Sequence, residues 1–77
     1  MTMQEAETLN EVLVDLREQY RTAWHKKASF YAGSERLLAA LEDARDVASE
    51  AWEAWTSGQL REAVNGYCEA LLVLQQV

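Results

Sequence analysis

Glu42, Asp46, Glu50 and Glu53 stand three and four residues apart, a spacing that gathers all four carboxylates on one face of a helix. A row of carboxylates can do acid/base work, hold a divalent cation, dock on a basic surface or stand in for phosphates. Acid/base work needs a water-excluded pocket that perturbs a pKa, and a stripe on a convex helix supplies none. A solvated face or a docking face remains. One histidine, His25, and one cysteine, Cys68, complete the reactive inventory. A nucleophile must lie within hydrogen-bond reach of its base, and these two have no helical spacing that brings them together. One Cys and one His also fall short of the four ligands of a structural zinc. Cys68 reads as a small buried hydrophobe at the border of an apolar seam, and His25 as a surface residue beside Lys26 and Lys27. No catalytic residue, metal ligand or cofactor-binding residue is expected, and the chain is not expected to be an enzyme.

Charge narrows the partner. Among 77 residues, thirteen acids face seven Lys and Arg, for a net charge of −6. Binding a nucleic-acid backbone rests on clustered cations that neutralise phosphates, so direct nucleic-acid contact is disfavoured and a basic protein surface is the natural counterpart. The opening MTMQEAETLN carries no basic and apolar leader, and no stretch approaches the roughly 18 apolar residues of a membrane span. A cytoplasmic protein without membrane contact is expected. A lone cysteine makes no internal disulfide, and a chain this short buries only about 60% of its unfolded surface. Well-packed helices or a homo-oligomer must then supply the remaining stability.

The elements follow from caps and periodicity. There is no proline and there are only three glycines, so helix is expected nearly throughout as one domain over residues 1–77. Thr2-Met3-Gln4-Glu5 fits a capping box. From there Leu9, Val12, Leu13, Leu16, Tyr20, Ala23, Trp24 and Tyr31 recur at three- and four-residue spacing, with Phe30 at the edge of that face. Arg17, Arg21, Lys26 and Lys27 come late in this helix, where cations complement its dipole. Gly33 can take positive φ, and Ser34 can cap a second helix whose face carries Leu37, Leu38, Leu41, Ala44, Ala48, Ala51, Trp52 and Trp55. A turn at Thr56-Ser57-Gly58-Gln59, with a Thr56–Gln59 box, leads to a third seam of Leu60, Ala63, Val64, Tyr67, Leu71 and Leu74. The expected fold is all-α: a three-helix antiparallel bundle with helices about 3–31, 35–56 and 59–76.

Outside the third seam lies a second strip, Gly66, Ala70, Val73 and Val77, whose Gly-x-x-x-Ala spacing permits close approach of another backbone. Together with a first helix longer than the others, this strip predicts that a homodimer completes the bundle and that the strip binds a partner. The aromatic residues, Trp24, Trp52, Trp55, Tyr20, Tyr31 and Tyr67, fall on the apolar faces and read as core.

Gly58, Ala63, Tyr67, Ala70 and Leu71, with Ala51 before them, are spaced so that residues 47–74 resemble one tetratricopeptide-type helical hairpin. Glu50 and Ala54 depart from the large residues usual in that pattern, and residues 1–46 hold no second copy. The resemblance implies a scaffold for protein contacts. The expected function is a small acidic helical protein–protein interaction module without catalytic activity, using the apolar strip and the acidic face. The alternative is a small acidic inhibitor of phage or mobile-element type, presenting phosphate-mimicking carboxylates to a nucleic-acid-binding host complex.

Overall fold

The structure, a computed structural model, describes residues 2–77. Three helices follow one another: α1 (Met3–Ser29), α2 (Glu35–Thr56) and α3 (Leu60–Gln75). They pack as an up-down-up bundle 46 Å long and about 17 Å across. Glu5 lies 3.7 Å from Arg61 at one end, and Lys27 Nζ donates to the main-chain oxygen of Val77 at the other, so α1 and α3 run in the same direction.

The caps explain the boundaries. Thr2 Oγ1 accepts from the Glu5 backbone N–H at 3.1 Å, satisfying one orphan donor of the first turn. The Glu5 carboxylate, expected to answer back to Thr2, is turned toward Arg61 instead. α1 stops at Ser29, two residues short of the expected end, because Phe30 and Tyr31 donate back three residues to Lys27 and Ala28 and tighten the last turn. Ala32 (φ 43°) and Gly33 (φ 82°) then reverse the chain in left-handed conformation, and Ser34 Oγ accepts from Leu37 N–H.

α2 closes through a Schellman motif centred on Gly58 (φ 82°): Gln59 N–H donates to Ala54 and Gly58 N–H to Trp55. The expected Thr56–Gln59 box is absent. Thr56 Oγ1 donates to the Glu53 carbonyl, and α3 begins without a side-chain cap.

The core is one cluster: Leu13 from α1, Leu41, Ala44, Ala48 and Ala51 from α2, and Leu60, Ala63, Tyr67, Ala70 and Leu74 from α3. α3 is the central helix, packed along both others, while α1 and α2 touch little. The alanines set that asymmetry, because small residues on α2 let α3 come close. A Cβ built on Gly66 would sit 2.7 Å from Ala51 Cβ, well inside van der Waals contact. Two indoles bridge the wider α1–α2 gap. Trp24 Nε1 donates to the Leu41 carbonyl at 3.0 Å, and Trp55 Nε1 to Asn10 Oδ1 at 2.8 Å.

Candidate functional site

Between those two bridges α1 and α2 stand apart, leaving a groove of about 290 Å³. Arg17, Tyr20 and Arg21 line it from α1, Arg45, Ala48, Ser49 and Trp52 from α2, and Tyr67 of α3 forms its floor. The helical register places them. Arg17 and Arg21 lie one turn apart on the flank of the α1 face whose centre is Leu13, and Arg45, Ser49 and Trp52 repeat at four and three residues along α2.

Three of the seven basic residues of the chain thus converge on one face of an acidic protein. Arg17 stacks on Trp52, its guanidinium carbon 4.9 Å from the ring centroid, an arrangement that holds a planar cation over the negative face of an indole. Trp52 meets Trp55 edge-on at 5.6 Å, Trp55 meets Tyr67 edge-on at 6.3 Å, and Tyr67 lies 6.2 Å from Tyr20. This aromatic chain carries the groove into the core. Burial raises the pKa of both tyrosines, with the charge of Arg45 opposing the shift at Tyr20 and that of Arg17 opposing it at Tyr67. Both phenols therefore stay neutral donors at physiological pH. Among the described residues the one ion pair is Glu5–Arg61, so the three groove guanidiniums have no carboxylate within 4.0 Å.

Four residues expected on apolar, buried faces are on the surface. Trp52 is 46% exposed because α1 does not close over it, and Cys68 is exposed on the outer side of α3. Leu38, expected on the buried face of α2, and Val12, expected on that of α1, are also exposed. Arg17 and Arg21, read as complements to the helix dipole, lie too far from the last turn of α1 for that role, which Lys26 and Lys27 occupy.

The Gly66–Ala70–Val73–Val77 strip is corrected as well. Ala70 is fully buried, Gly66 abuts Ala51, Val73 packs against the core and Val77 is partly buried. The backbone approaching this strip is α2 of the same chain, and the strip is not an open surface. Glu42, Asp46, Glu50 and Glu53 are all exposed on the side of α2 opposite its buried face, and Glu50 borders a hollow between α2 and α3 together with Glu62 and Glu69. Phe30 projects at the end of α1, 67% exposed, whereas Tyr31 is partly buried. A larger hollow of about 640 Å³ between the start of α1 and Arg61 gathers no aromatic rings, and its cation is already paired with Glu5.

The groove could have been suspected from Arg17, Arg21 and Arg45 flanking apolar positions opposite Trp52. What was missing was the separation of α1 from α2.

Among the described residues no three His, Cys, Asp or Glu side chains are placed to hold a metal ion, and no helix is long and apolar enough to cross a membrane. Comparison with protein-family models, with curated proteins and with solved structures finds no match.

Proposed function

We propose that this chain is a small helical protein–protein interaction module, without catalysis, whose contact surface is the open face of α1 and α2. The observation that carries this reading is Arg17 stacked on the half-exposed Trp52 at the mouth of a groove floored by Tyr67. Trp, Tyr and Arg are the residues that dominate binding energy at protein interfaces, where rigid aromatic surface and a forked cation are desolvated together.

The test places a photo-crosslinking residue at position 52 and, as control, at position 72. Leu72 is apolar and somewhat more exposed than Trp52 but sits on the outer face of α3. The reading predicts a discrete protein adduct in the source cells from position 52 and none from position 72. Equal labelling from both positions contradicts it.

A second reading, the small acidic inhibitor, draws on a different observation: Glu42, Asp46, Glu50 and Glu53 are exposed and, among the described residues, unpaired. It requires salt-sensitive binding to a basic target, abolished when those four residues become Gln or Asn while Trp52 is left intact.

A further inference from the structure

We infer that the partner of the α1–α2 groove is a second copy of this chain, with the carboxylate row of each α2 lying along the arginine groove of the other. The inference rests on the interaction-module reading and names its partner.

The molecule carries both halves of the contact. Arg17 and Arg21 are one turn apart on α1, about 6 Å along the axis, and Glu42, Asp46 and Glu50 repeat at the same interval along α2. A carboxylate row therefore matches a guanidinium row in register, and Arg45 adds a third fork from the opposite wall. Neither row is satisfied within the chain: the one ion pair among the described residues is Glu5–Arg61.

The placement of the two rows also decides the symmetry. Arg45 and Asp46, Ser49 and Glu50, and Trp52 and Glu53 are successive residues of α2, so groove wall and carboxylate row lie about 100° apart around one helix. Across a two-fold axis the two surfaces satisfy each other twice, and the contact closes as a dimer. The exposed Leu38 and Trp52 stand on this face of α2 with Arg45 and Ser49 and add apolar area to a contact that charge alone would leave weak.

The experiment uses the full chain and two variants with opposite reversals. In one the groove is reversed, Arg17→Glu with Arg21→Glu; in the other the row is reversed, Asp46→Arg with Glu50→Arg. All four positions are exposed, and helical circular dichroism verifies folding of each variant. Sedimentation equilibrium over about 1 µM to 1 mM should show a dimer for the unaltered chain and at least about tenfold weaker self-association for either variant alone. An equimolar mixture of the two should again associate, because the reversed groove of one meets the reversed row of the other on one side of the axis, and the unaltered arginine groove meets the unaltered carboxylate row on the other.

A monomeric unaltered chain, variants that dimerise as well as it does, or a mixture that stays monomeric overturns the inference. If the unaltered chain is monomeric while position 52 crosslinks to a different protein, this inference falls and the interaction-module reading stands. If neither association nor an adduct is found, both fall.

Discussion

Gly66 of α3 faces Ala51 of α2 so closely that a methyl group on Gly66 would come within 2.7 Å of the Ala51 methyl and 3.2 Å of its Cα. The nearest atoms belong to a short side chain and a backbone, so they cannot swing aside. Gly66→Ala gains about 1 kcal/mol in helix propensity but forces α3 off α2 at a cost of about 1–3 kcal/mol. The expected net effect is destabilisation, read as a lower urea midpoint. Adding Ala51→Gly should make the pair less destabilised than the sum of the single changes. Simple additivity would mean that the two residues do not meet.

Leu13 is the one fully buried residue that α1 contributes to the core. Leu13→Ala should cost about 2–5 kcal/mol, comparable to the whole net stability of about 3–5 kcal/mol open to a domain this small. Far-ultraviolet circular dichroism at 25 °C should show most of the helical signal lost. A fully helical variant would place Leu13 outside the core.

The indole of Trp24 reaches across to the Leu41 carbonyl in a region where α1 and α2 have little other contact. Trp24→Phe keeps a ring but removes the donor, and it should cost about 0.5–1.5 kcal/mol. Asn10→Ala removes the acceptor of Trp55 at the other bridge and should cost a similar amount. Both losses are measurable by chemical denaturation, and neither should lower helix content under native conditions.

Tyr20 and Tyr67 set an alkaline limit. Burial holds both phenols above their ordinary value of 10.0, so as pH rises the unfolded chain releases these protons before the folded one does. Stability from the neutral phenols is fully present below about pH 10 and declines as pH climbs through the raised folded values. Urea midpoints should be level between about pH 7 and 9 and fall above about pH 10. Tyr67→Phe should shallow that fall, and an unchanged slope would contradict the assignment.

Much of the fold was legible in the chain. Thr2 and Ser34 cap the helices they were expected to cap, Gly33 and Gly58 take the positive φ their turns need, and three helices pack in the expected order. Less legible was whose backbone a small-residue strip admits. The Gly66–Ala70 spacing signals close approach, and the approaching helix is α2 of the same chain. Periodicity likewise places Trp52 and Cys68 near an apolar face but not whether a neighbour covers that flank. α1 stands off from α2 over Trp52, and nothing closes over Cys68. The same opening turns Arg17 and Arg21 from helix-dipole partners into the wall of a groove.

The central claim, that contact is made through the α1–α2 face, is tested most directly by nuclear magnetic resonance of the three indole N–H groups over a protein concentration series. Trp24 and Trp55 donate to Leu41 and Asn10, while Trp52 sits half-exposed under Arg17. The account predicts that the Trp52 signal moves with concentration, that the other two stay nearly fixed, and that Arg17→Glu with Arg21→Glu abolishes the movement. A Trp52 signal that stays fixed while resonances around the outward-facing Leu72 and Cys68 shift would contradict it.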